Sequence, residues 1–240
     1  MGHAFELPHE ALVEATPEQV WEAIATGPGI DAWFMGRNEV AGGVVRTAFG
    51  GVDLPDSAVS AAEPPHRFTH AGAPAPDGRF VAYDFLVEGR DRGSTSIRLV
   101  ASGFLPGDDW ESEYEAMSTG FALFFATLVE YLTHFAGRAA TPVTEFGPPV
   151  TDWPRAWRTL YGELGDPSPG DKVFLEPAGQ AGVVYFANVQ TLGVRTGDGL
   201  YRFIQGRGGS MVASHHLFGA PGAPGDAGPA WRAWLERLYG

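Results

Sequence analysis

At the start of the chain apolar and polar positions alternate, with Phe5, Leu7, Ala11 and Val13 on one side and Glu6, Glu10 and Glu14 on the other. That period of two predicts a half-buried strand. Thr16-Pro17-Glu18 follows, an N-cap and then proline at the first helical position, where its missing N–H leaves nothing unpaired. Val20, Trp21 and Ile24 form the apolar stripe of a short helix, Gly27-Pro28-Gly29 is expected to break it, and residues 30–34 read as one or two further turns. From 40 to 104 the pattern changes to short strands punctuated by Gly and Pro, expected near 43–49, 57–62, 66–71, 79–88 and 94–104. In the last two, Val81, Tyr83, Phe85 and Val87 alternate, a Gly-rich turn follows, and Ile97, Leu99 and Ala101 alternate again, as in an antiparallel meander.

Residues 108–137 carry the longest helical signal. Trp110, Tyr114, Met117, Phe121, Phe124, Leu128, Tyr131 and Phe135 recur at steps of four and three, a continuous stripe down one face. Asp108 and Asp109 stand where they can cap the helix and meet the positive end of its dipole. Burying such side chains contributes roughly 1.5–3 kcal/mol each, so the stripe must lie on something large and apolar. The meander is the element of that size.

The stretch 139–150 is rich in Pro and Thr and reads as a linker, with a short strand conceivable at 142–146. A helix is expected over 152–164, with Trp153, Trp157, Leu160, Tyr161 and Leu164 apolar, then strands near 172–177, 182–189, 191–196, 199–206 and 210–218. A last helix over 228–239 carries Trp231, Trp234, Leu235 and Leu238. Tyr201-Arg202-Phe203-Ile204 matches Tyr83-Asp84-Phe85-Leu86, each followed by a Gly/Arg-rich turn, a strand with a late Phe and a Trp-bearing helix. Residues 151–240 are therefore either a truncated repeat of the first half or an extension specific to this chain's relatives.

The segment Ala15-Thr16-Pro17-Glu18-Gln19-Val20-Trp21, followed by Trp33-Phe34, resembles the opening of the START/SRPBCC superfamily, in the branch related to the activator of the heat-shock chaperone ATPase (AHSA-like). Residues 97–104 and then 110–132 resemble that branch's last strand and long helix. The resemblance covers residues 4–137. It implies an α+β class and a helix-grip fold over 1–138, in which a curved antiparallel sheet wraps a long C-terminal helix, with a second, truncated START-like unit after it. It says little about activity, because the superfamily includes lipid carriers, polyketide cyclases, hormone receptors and antibiotic-resistance proteins.

Composition narrows the chemistry. With a net charge of −13, the surface repels phosphates, which makes nucleic acid and anionic membranes poor partners. There is no cysteine, so disulfides, thiolate nucleophiles and Cys-based zinc sites are excluded. The N-terminal residues lack a basic region followed by an apolar one, no apolar run approaches a membrane span, and a cytoplasmic location is expected. His215 and His216 are adjacent on a strand and point to opposite faces; His66 and His70 lie about 13 Å apart along another. Neither pair suits one metal ion, and no metal or cofactor is expected. No G-x-S-x-G elbow occurs, and the Gly-rich runs at 89–93 and 206–209 lie between strands, where hairpin turns explain them better than phosphate loops do. Glu111, Glu113 and Glu115 read as a solvated first turn of the long helix.

What remains is a cavity gripped between sheet and long helix, as the resemblance implies. Trp33, Phe34, Phe85, Trp110, Tyr114, Met117, Phe121 and Phe125 are placed to line it. Arg98, on the alternate face to Ile97 and Leu99, is either a polar anchor inside or a surface arginine. Three functions stay open. One is binding of a hydrophobic or aromatic small molecule for sequestration, transport or self-resistance, with polyketides the class the superfamily suggests. The others are a cyclase or aromatase acting on a polyketide chain, and a co-chaperone-like interaction module. No catalytic constellation is visible.

Overall fold

The computed structural model describes residues 2–108, 110–219 and 227–240. Asp109, expected to help cap the long helix, lies outside them. The chain divides into two compact units, Met1–Ala139 and Ala140–Gly240.

Unit 1 opens with β1 (His3–Val13), α1 (Pro17–Ala25) and α2 (Gly27–Ile30). The meander follows as β2 (Arg37–Ala41), β3 (Val44–Phe49), β4 (Val52–Asp53), β5 (Ser57–Glu63), β6 (Arg67–Gly72), β7 (Phe80–Gly89) and β8 (Thr95–Leu105), and α3 (Trp110–His134) closes the unit. The antiparallel sheet runs β1-β8-β7-β6-β5-β3-β2, with β4 paired to β3, so the first strand lies beside the last. Across its inner face α3 sets Tyr114 against Phe5, Phe121 against His9 and Tyr83, and Phe125 against His9. This is the helix-grip fold.

Thr16 caps α1 through a reciprocal capping box with Gln19. The expected break at Gly27-Pro28-Gly29 is instead the first turn of α2. Thr26 Oγ1 accepts from the N–H of Gly29 at 3.1 Å and donates to the Glu22 carbonyl at 2.7 Å. Glycine is required there because a Cβ on Gly29 would stand 1.8 Å from the Glu22 oxygen. β2 carries no apolar alternation and lies at the sheet edge, which is why the hydrophobic pattern does not reveal it.

By length and composition α3 is apolar enough to cross a membrane, contrary to the expectation that no segment would be. Its Phe121, Leu123, Phe124, Phe125, Leu128, Tyr131 and Leu132 are buried, as the core helix of a grip requires. The first turn is not wholly solvated: Glu113 is mostly buried and pairs with Arg79.

Unit 2 consists of β9 (Thr141–Pro149), α4 (Trp153–Glu163), β10 (Lys172–Leu175), β11 (Gln180–Ala187), β12 (Thr191–Arg195), β13 (Gly199–Gln205), β14 (Ser210–Leu217) and α5 (Ala227–Tyr239). Its sheet runs β10-β11-β12-β13-β14-β9. The order strand, helix, meander, helix and the pairing of first strand with last both repeat unit 1, on fewer strands and a shorter final helix. Residues 141–149, expected as linker, are thus an integral strand. β9 pairs with β14 alone, and an edge strand tolerates Pro142, Pro148 and Pro149. Trp231, Trp234 and Leu235 of α5 pack with Trp157 and Leu160 of α4 over Tyr201, Phe203 and Met211.

Candidate functional site

Unit 1 contains a cavity of about 280 Å³ between the α2 end of the sheet and the strands β3, β5, β6 and β7. Apolar walls come from Ile24, Ile30, Trp33, Phe34, Met35, Val45, Val81 and Phe85. Leu54 and Arg79, 37% and 39% exposed, form its rim. Trp33 stacks edge-on against Phe85 and lies beside Phe34, whose ring also meets Tyr83 and Phe124.

The hollow exists because small residues occupy inward positions. On β6, Phe68, His70 and Gly72 share the inner face by alternation. The space a side chain at Gly72 would fill is open; the nearest atom to a Cβ there is the Val81 oxygen at 3.8 Å. Ala73, Ala75 and Ser57 continue the same wall.

Polar groups enter from two sides. On one, Thr47 Oγ1 donates to Asn38 Oδ1 at 2.7 Å, and Asn38 Nδ2 donates to Asp31 Oδ1 and the Met35 carbonyl, both at 3.1 Å. Asp31 is buried, and burial raises its carboxyl above the usual range although the Asn38 bonds pull it down. On the other, His70 and Tyr83 are directly opposed across β6 and β7, with ring centroids 5.0 Å apart. Burial lowers His70 to about 4, so its ring is neutral at pH 7. Tyr83 keeps partial exposure, yet Phe34, His70 and Phe121 enclose its ring, and burial pushes its hydroxyl up to about 12. Arg79 at the rim is engaged by Asp77 and Glu113.

Of the residues expected to line a cavity, Trp33, Phe34 and Phe85 do so. Trp110, Tyr114, Met117, Phe121 and Phe125 do not, because α3 packs on β1 and β8 and the hollow lies toward the far end of the sheet. Trp110 instead stacks on His3 at 4.0 Å. Arg98 is exposed on the outward face, opposite Leu86 and Glu10, and is no anchor inside. Sequence reasoning weighed His70 only as a metal ligand and missed Asn38, Thr47, Gly72 and Arg79. Its one usable signal was a histidine and a glycine on the core-facing alternation of a strand. Among the described residues no three side chains of metal-ligating type converge.

No protein-family profile and no curated protein sequence matches the chain. Solved structures of similar fold include the solution structure of the Aha1 dimer from Colwellia psychrerythraea, at 22% identity and TM-score 0.43 over 53% of this chain and 96% of that one. The di-domain ARO/CYC BexL from the BE-7585A biosynthetic pathway is 15% identical at TM-score 0.48, over 95% and 91% of the two chains. DynU16, from the dynemicin biosynthetic locus, is 19% identical at TM-score 0.43, over 97% and 96%.

Proposed function

We propose that unit 1 binds a hydrophobic, aromatic small molecule in the cavity walled by Trp33, Phe34 and Phe85, and that its role is sequestration, transport or self-resistance. The supporting observation is a preformed apolar hollow of about 280 Å³ with a few polar groups on its walls, close to the lower end of the roughly 300–1,000 Å³ seen for small-molecule pockets. A dry cavity of about 150 Å³ takes one benzene ring. By that scale the occupant has about two fused rings, and a polyketide-derived compound of that size belongs to the class.

Quenching of tryptophan fluorescence by one-, two- and four-ring aromatic compounds tests the reading, with Trp33 as the reporter in the wall. Two-ring compounds are expected to bind best. If none binds below about millimolar, where binding is worth only about 4 kcal/mol, the cavity is not a ligand site.

A second reading, proton-transfer catalysis of the cyclase or aromatase kind, is favoured by one observation: a neutral imidazole and a phenol opposed on the same wall. Turnover of a poly-β-keto thioester that His70→Phe abolishes would establish it; binding without turnover leaves the first reading.

A further inference from the structure

The two polar sides of the cavity are not equivalent. The Asn38–Thr47 side is consumed by bonds within the protein. The His70–Tyr83 side is not: among the described residues neither side chain makes a hydrogen bond, although His70 is only 8% exposed. Nδ1 of His70 is sealed off without a partner. A sealed N–H with no acceptor is the costlier state for that atom, so the proton belongs on Nε2. Nε2 is the nitrogen that keeps access to open space, and the open space beside this wall is the cavity. The Tyr83 hydroxyl, on the directly opposed strand position, is a second donor with no acceptor. His70 and Tyr83 both line the cavity, so an acceptor on an occupant would meet two donors that no protein group among the described residues satisfies.

Charge restricts what they can receive. Among the described residues no cation stands on this wall. The cavity's cation, Arg79, is at the rim and already paired with Asp77 and Glu113. An anion drawn inside would give up its water for two neutral donors.

Resting on the reading of the cavity as a ligand site, we infer that its occupant carries a neutral oxygen acceptor, an aryl-ketone type of carbonyl, held by His70 Nε2–H and the Tyr83 hydroxyl. His70 and Tyr83 are then the specificity-determining residues. Trp33, Phe34 and Phe85 supply the apolar contact that any flat ring system would share.

Calorimetric titration of the full chain with 1-indanone, indane and indane-1-carboxylate isolates the oxygen and its charge on one ring frame. The ketone is expected to bind roughly tenfold tighter than the hydrocarbon, and the carboxylate weakest. In His70→Phe and in Tyr83→Phe, checked for unchanged circular dichroism, the preference for the ketone falls to about threefold or less while indane binding persists. Equal binding of indanone and indane to the native protein overturns the inference and leaves the cavity reading standing. Tightest binding of the carboxylate also overturns it. If none of the three binds, the ligand-site reading falls first and the inference with it.

Discussion

Trp33 Nε1 donates to the carbonyl of Ala23 at 2.9 Å, ten positions back in the chain and wholly buried. Ala23 lies in the last turn of α1, where carbonyls lack helical partners, so the indole both ends the helix and fixes one cavity wall. Trp33→Phe keeps a ring but leaves that carbonyl unpaired. Unfolding in urea should show a loss of about 1–3 kcal/mol. The same variant should lose most of the fluorescence response to an aromatic ligand. A response of undiminished amplitude would mean that the ligand sits elsewhere.

The cavity owes its volume to Gly72, and its φ lies outside the left-handed region, so a side chain is conformationally allowed. Gly72→Val projects two methyl groups into the hollow from a position whose Cβ meets only the Val81 oxygen at 3.8 Å. Replacing a glycine where the backbone permits it stabilises by about 0.4–1 kcal/mol through the unfolded chain. Thermal denaturation should therefore show an unchanged or raised midpoint, while affinity for two-ring ligands drops by at least about tenfold, or roughly 1.4 kcal/mol. Retained affinity in this well-folded variant counts against the cavity.

Periodicity made the grip legible. The three-and-four spacing from Trp110 to Phe135 predicts α3, and the alternation through Val81–Val87 and Ile97–Ala101 predicts the centre of the sheet. The position of the cavity was not legible, because a stripe of large aromatics reports where a helix packs tightly and a hollow is reported by small residues. Phe121 and Phe125 bury themselves against His9, whereas the open wall is built from Ser57, Gly72, Ala73 and Ala75. The repeat shows the same division between grammar and environment. Asp84 and Arg202 hold matching places in the two Tyr-x-Phe strands. Asp84 accepts from Arg67 and Thr69 on a partly exposed outer face, while Arg202 is fully buried and donates to the Ser214 carbonyl and hydroxyl. Sequence matching finds the place, and three-dimensional surroundings decide what the side chain does there.

Asp31 tests how the cavity's closed polar side is held. Its Oδ1 accepts from the backbone N–H of Asn38 at 2.6 Å and from Asn38 Nδ2 at 3.1 Å, tying α2 to β2. Asp31→Ala removes the acceptor and should cost about 1–3 kcal/mol in chemical denaturation. Asp31→Asn keeps an oxygen in place and removes a buried charge whose carboxyl burial already raises. Its stability at pH 7 should lie within about 1 kcal/mol of the native protein. If both variants lose equally, the charge itself is what holds the junction.

His70 also predicts a pH dependence that a single substitution can isolate. Its folded-state value is lowered from 6.5 to about 4, with burial as the cause, and its ring neighbours Phe68 and Tyr83 carry no charge in that range. Between those two values the unfolded chain holds the proton and the folded chain does not. Stability therefore rises with pH across the window: the contribution is complete above 6.5, is lost as pH falls toward 4, and levels off below. A displacement of that size corresponds to about 3 kcal/mol. His9 and His215 are lowered by burial as well and add to the same slope, so the native curve alone cannot assign it. The difference between native protein and His70→Phe can, since the other two contribute equally to both. From pH 7 to pH 4 the native protein should lose about 3 kcal/mol more than the variant, read from urea midpoints at each pH. Parallel curves would mean that the His70 ring is not desolvated in the folded protein, and the sealed Nδ1 from which the donor assignment starts would go with it.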